Sequence, residues 1–135
     1  MASHKRELID TLSGYEIFAD CSKEAITDLV GAGSDFSLPS GWPLVQEGIP
    51  SDACYVIVEG EVRVFHKREQ GAEIGPGDLV GEMTLLGGGQ RRATVTSSSR
   101  VSGLRIENDP LRGVLGKHES LAKAFRAVYA AHGGD

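Results

Sequence analysis

Between residues 36 and 107 the chain runs in short apolar stretches, each cut off within a few residues by Gly, Pro, Asp or Ser. No long helix fits such a texture. Runs of β-branched and aromatic residues bounded by turn formers read instead as strands, here 36–38, 42–45, 54–58, 62–66 and 93–97. Glu59-Gly60 marks a tight hairpin turn, 67–71 a second and more polar one, Gly75-Pro76-Gly77-Asp78 a third break and Ser97-Ser98-Ser99 a turn between strands. Short strands with frequent turns predict a barrel or sandwich.

The flanks have a different period. Leu8, Ile9 and Leu12 lie at helical spacing. After a turn near Ser13 and Gly14, Ser22 precedes a run with Glu24 near the capping-box position and apolar Ala25, Ile26, Leu29 and Val30, ending in Gly31 and Gly33. Beyond Ile106, Asn108 or Asp109 is the expected cap, with Pro110 in the first turn and Leu111, Val114 and Leu115 on one face. A last helix over 120–131 carries Leu121, Phe125, Val128 and Tyr129 on one stripe. The expectation is a mainly β fold, a double-stranded β-helix (jelly-roll) barrel over 36–107, flanked by helices in 1–33 and 109–131. All 135 residues fit one domain.

Charge and composition narrow the function. Nineteen acidic residues against 14 basic give a net charge of −5, which lacks the basic footprint of a phosphate-backbone binder, so direct nucleic-acid binding is not expected. No apolar run is long enough for a bilayer, and Glu7 and Asp10 stand where a signal peptide would be apolar. A cytoplasmic protein without membrane contact is the expectation. Cys21 and Cys54 read as reduced thiols, and the four histidines are scattered singly, so no metal site is expected. Trp42 reads as a core or barrel-end aromatic, and His66-Lys67-Arg68 as a solvated hairpin tip.

The chemistry concentrates in residues 77–95. Six of the 18 glycines (Gly75, Gly77, Gly81, Gly87, Gly88, Gly89) crowd this region and its approach, which suits a backbone that turns sharply and approaches a ligand. Glu82 and Arg91 are separated by a short amphipathic turn and a glycine loop. A helix beginning near Glu82 would aim free N–H groups at an anion. Arg91 supplies a planar fork for phosphate oxygens, and an ionised Glu82 accepts a hydrogen bond from a sugar hydroxyl.

Gly81-Glu82, an apolar turn, Arg nine residues after the Glu and a strand containing Val95 together resemble the phosphate-binding cassette (81–95) of the cyclic-nucleotide-binding domain family. That family includes catabolite activator proteins, protein kinase A regulatory subunits and cyclic-nucleotide-gated channels. Val58-Glu59-Gly60-Glu61-Val62 and Gly75-Pro76-Gly77-Asp78 match its glycine-marked turns, so the resemblance spans roughly 12–129. It implies that Glu82 receives the ribose 2′-OH, that Gly81 and neighbouring amides meet the sugar phosphate, and that Arg91 neutralises the cyclic phosphate. Ala93 follows in the cassette, and Met83, Val64 and Ile74 would line the base side.

Arg92 departs from the pattern, which has Ala, Ser or Thr there. It adds a second charge, points outward, or is itself the phosphate arginine. The missing hydroxyl tilts the ligand towards cAMP over cGMP. The function implied is a non-enzymatic sensor that signals to an effector protein and needs no cofactor, with a homodimer possible. A nucleotide-free interaction module and a cupin-type metalloenzyme are the alternatives, the latter disfavoured because cupin sites need clustered histidines. No recognition helix is expected within 1–135, and the base is capped by Phe125, Tyr129, a partner chain or nothing.

Overall fold

The computed structural model describes residues 2–46, 48–49, 52–66, 69–87 and 93–132. Its helices are α1 (Ala2–Ser13), α2 (Lys23–Ala32), α3 (Glu82–Gly87), α4 (Asn108–Lys117) and α5 (Glu119–Ala131), with a 3-10 turn at Glu16–Phe18. Its strands are β1 (Ser34–Leu38), β2 (Pro43–Val45), β3 (Ala53–Glu59), β4 (Val62–His66), β5 (Glu69–Ile74), β6 (Leu79–Val80), β7 (Thr94–Ser97) and β8 (Val101–Glu107).

Among the described residues the strands form two four-stranded antiparallel sheets, ordered β1-β8-β3-β6 and β2-β7-β4-β5, and not one closed barrel. The sheets alternate along the chain in a jelly-roll-like way. Period-two alternation then decides what each face of β3 meets. Cys54 and Val56 point into a core shared with Leu12, Phe18, Ile26, Leu29, Leu111, Leu121 and Phe125. Tyr55 and Ile57 point the other way, into a second core with Val45, Val62, Ile74, Val95 and Val101. The result is three layers: helices, first sheet, second sheet. The outer face of the second sheet is polar, as the exposed pair Arg63 and Glu73 shows, with Nε to Oε2 at 3.2 Å.

Local signals account for the helix boundaries. The Ser22 side chain accepts the Ala25 N–H at 3.1 Å, capping α2 as expected. Helix α4 starts at Asn108 with Glu107 in the cap position, one residue before the expected site, and α5 starts at Glu119. A 3-10 turn at Glu16–Phe18 links α1 to α2 and buries Phe18.

Three strand expectations need correction. Residues 69–71 belong to β5 and not to a turn, while Lys67 and Arg68 lie outside the described residues. Leu79–Val80 and Val101–Glu107 are strands with no counterpart among the five expected runs. Trp42 is not in the core: it is 53% exposed, and its backbone N–H donates to Ser97 Oγ at 2.8 Å. Ser97 is itself buried, and its hydroxyl donates to the Pro39 carbonyl at 2.6 Å, which fixes the chain between β1 and β2. Cys21 and Cys54 are not joined in a disulfide.

Phe125 is fully buried where α5 meets the rest of the helical layer. Phe125→Ala is expected to cost about 3–5 kcal/mol, the range for truncating a buried aromatic, and Phe125→Leu clearly less. Urea unfolding monitored by circular dichroism measures both.

Candidate functional site

The segment leading to the site is pinned from both sides. Gly77 N–H donates to the Ile57 carbonyl at 2.9 Å and Ile57 N–H to the Asp78 carbonyl at 3.0 Å, which ties the turn between β5 and β6 to β3. Gly77 has φ +91°, and a Cβ there would stand 3.1 Å from the Tyr15 ring. Gly81 has φ +97°, and a Cβ there would lie 2.6 Å from the Ala53 carbonyl oxygen. Only glycine meets both conditions, so the chain leaves β6 in one direction and enters α3 with Glu82 as its first residue.

Glu82 does not face solvent. It is 1% exposed, yet it belongs to neither apolar core. Its Oε2 accepts from His132 Nδ1 at 3.0 Å, and His132 Nε2 is 3.5 Å from Asp78 Oδ1. Asp78 Oδ1 also accepts the Leu79 N–H at 2.7 Å. One imidazole from the end of α5 thus spans two carboxylates, one on each side of β6.

Asp78 and Glu82 raise the His132 pKa from 6.5 to about 10, through their hydrogen bonds and charge and against the opposing effect of burial. The ring is therefore held as an imidazolium at neutral pH, hydrogen-bonded to Glu82 through Nδ1 and ion-paired with Asp78 on its Nε2 side. Burial pushes the Asp78 pKa up, but the His132 and Leu79 hydrogen bonds and the imidazolium charge outweigh it and hold the carboxyl below its ordinary value. A cavity of about 560 Å³ opens beside this group, lined by Tyr15, Ile17, Ile74, Pro76, Val128 and His132 among others.

The residues expected at the site do not all come together. Gly81 and Glu82 sit together, both buried, at the start of α3. Val64 pairs with Val95 across β4 and β7, and Ile74 pairs with Val62, so both belong to the second core; Ile74 also reaches the cavity. Ala93 is half-buried just before β7. Arg91 and Arg92 lie outside the described residues, and of Met83 only the backbone is described. Phe125 belongs to the helical core, with no surface left to cap a base, while Tyr129 is half-buried.

His132 and Asp78 are the functional candidates that sequence reasoning passed over. The signal was present: Leu121, Phe125, Val128 and His132 follow i, i+4, i+7, i+11, so the buried stripe of α5 continues onto an imidazole. A second histidine also proves to be placed, since His118 Nε2 is 2.7 Å from Asp28 Oδ2, with Lys117 Nζ at 3.4 Å from the same oxygen. Glu24, Asp28 and His118 are close enough to share a cation, but Asp28 is already engaged by its two neighbours. Among the described residues no helix is long and apolar enough to cross a membrane.

Comparison with known proteins gives the family and the fold. The cyclic nucleotide-binding domain family matches residues 35–118. The CRP-like cAMP-activated global transcriptional regulator of Mycobacterium tuberculosis is 26% identical over 126 residues, covering 90% of this chain and 56% of the regulator. The cAMP-dependent protein kinase regulatory subunit of Aspergillus fumigatus is 31% identical over 126 residues, covering 92% of this chain and 28% of the subunit. The chain thus spans about half, or less, of the length of these relatives. In fold it is similar to the catabolite activator protein of Thermus thermophilus, with a TM-score of 0.77 and 24% identity over 86% of this chain and 57% of that one.

The His132 ring is expected to titrate near 10 and not near 6.5, as carbon-proton correlation spectra of the imidazole would show. A histidine with a raised folded pKa stabilises fully below its unfolded value and loses that contribution as pH rises through the folded one. Wild type should therefore melt above His132→Gln at pH 6.5, with the gap closing towards pH 10.

Proposed function

The chain belongs to the cyclic nucleotide-binding domain family, and from that premise we propose that it is a sensor module that binds cAMP in preference to cGMP and passes the signal to an effector protein. The observation that carries the reading is Glu82: a buried carboxylate at the head of a short helix, directly after the one backbone turn that requires Gly81. A buried carboxylate needs a partner, and here His132 supplies one for Oε2. One that ends a Gly-Glu motif and lies nine residues before Arg91 suits a sugar hydroxyl on one side and a cyclic phosphate on the other.

The preference for cAMP draws on two relatives whose names refer to cAMP and on the lack of a hydroxyl at position 92. In this reading Arg91 or Arg92 neutralises the phosphate, the amides around Gly81 contact it, and Met83, Val64 and Ile74 flank the base. The role is binding and not catalysis, in a cytoplasmic setting and within a single domain. The net charge of −5 supports a protein effector over direct contact with nucleic acid.

A second reading, a domain that keeps the fold and binds no nucleotide, has one observation in its favour: Glu82 is already satisfied by His132. Calorimetric titration with cAMP and cGMP separates the two. Under the first reading cAMP binds and raises the melting temperature, by the equivalent of about 2.7 kcal/mol at a hundredfold excess over Kd. A flat response to both nucleotides at millimolar concentration selects the second.

Within the first reading, losing a charge-assisted contact costs on the order of 1.5–3 kcal/mol. Glu82→Gln and Arg91→Ala should each weaken cAMP binding by roughly tenfold or more, and Arg92→Ala less. Loss of binding in Arg92→Ala with Arg91→Ala unchanged would move the phosphate contact to Arg92.

A further inference from the structure

On the far side of β3 from the cassette, β8 places a cation between the sheets. Gly81 passes the start of β3, close to the Ala53 carbonyl oxygen and the Cys54 Cα. Tyr55, the next residue of β3, is in register with Val80 of β6 on one side and with Arg105 of β8 on the other. Residues in register share a face of a sheet. Val80 belongs to the second core and Tyr55 packs against it, so Arg105 also points between the two sheets. The same end of the sandwich receives β7 after Ala93, since Val95 pairs with Val45, the last residue of β2, and the chain runs on from there into β3.

The rest of this inner face is apolar, with Ile57 and Val101 continuing it. Among the described residues Arg105 is the one arginine or lysine on a face between the sheets. Its side chain is 32% exposed, and Asp52 Oδ1 stands 3.5 Å from Nη2. It also donates a hydrogen bond to the Tyr55 hydroxyl, which, with the charges of Asp52 and Glu107 adding to it, raises the Arg105 pKa against the effect of burial. Tyr55 is held in turn by Phe36, with ring centroids 5.0 Å apart and planes at 74°. Asp52 is 89% exposed, and a pair with so solvated a carboxylate is a weak reason to take a guanidinium out of water. A guanidinium has five N–H donors, and one phenol and one carboxylate oxygen occupy only part of them.

We propose, on the nucleotide-binding reading of the cassette, that Arg105 is a further anion-binding residue of the site: its guanidinium exchanges Asp52 for an oxygen of the cyclic phosphate, reached from the β8 side of β3. Tyr55 and Phe36 preset the direction of the fork, so little side-chain order has to be gained when the anion arrives. The phosphate then meets cationic groups from two separate parts of the chain, the arginines at 91 and 92 and Arg105.

The test reads the wild-type guanidinium directly. Arginine Nε–Hε correlation spectra of the 135-residue chain, with Arg105 assigned through its backbone connectivity, are recorded with cAMP and with adenosine, which lacks the phosphate. The expected result is a shift of the Arg105 resonance with cAMP and none with adenosine. Calorimetric titration with cAMP adds the energetics: Arg105→Gln should weaken binding by roughly tenfold or more, and Arg105→Lys, which keeps the charge and loses the fork, should fall between it and wild type.

Binding of cAMP that leaves the Arg105 resonance in place overturns the proposal whether or not the variants fold. An equal shift with adenosine overturns it as well, because the phosphate is then not the cause. So does Arg105→Gln that binds cAMP like wild type. These three results leave the nucleotide reading standing, whereas no binding of cAMP by wild type overturns both.

Discussion

The constraint from which the rest of the structure follows is the burial of β3 on both faces. A strand with one buried face needs a single apolar partner, but Ala53–Glu59 carries apolar side chains on alternate sides. It must therefore lie between two layers. Cys54 and Val56 require the helices, and Tyr55 and Ile57 require the second sheet. β8 answers the same demand beside it, with Leu104 and Ile106 towards the helices and Val101 towards the other sheet. The helical layer is thus the cover of a sheet that could not otherwise leave water, and α5, which carries His132, belongs to it.

Onto that frame the site adds a buried ionic group. Two carboxylates and one imidazolium leave one negative charge in a largely enclosed place, which is stable only while every partner stays in position. Removing one partner of a buried ion pair costs on the order of 3–5 kcal/mol in a dry interior. The cost is lower here because His132 keeps 24% of its surface in solvent. Such a group does little for net stability compared with an apolar substitute, but it makes the position of α5 sensitive to what happens at Glu82.

How much of this could be read from the sequence varied with how far apart the partners lie. Val62–His66 and most of Ala53–Glu59 were legible because β-branched and aromatic residues crowd between turn formers. Glu69–Ile74 was not, because an edge strand can be polar along most of its length, and within 71–74 Ile74 alone is buried. Leu79–Val80 is too short to show a period. In Val101–Glu107, Ser102, Gly103 and Arg105 interrupt the apolar residues beside a helical start. The Gly81-Glu82 pair is legible in the sequence, but its burial is not. A carboxylate is ordinarily solvated, and the partner that buries this one lies 50 residues further on.

The position of that partner explains why the site and the helix act as one unit. Leu121, Phe125 and Val128 fix the azimuth of α5 by burying its stripe against the helical core. The next inward position after Val128 falls at 132, where the last turn of the helix passes Asp78 and α3. The packing that anchors α5 therefore also sets the distance from His132 to Glu82. A shift of the helix by even one turn would carry the imidazole about 5.4 Å along the axis, well beyond hydrogen-bond reach. Because α5 also packs on α2, α4 and the 3-10 turn, a change of partner at Glu82 has a rigid element through which to reach the rest of the helical layer.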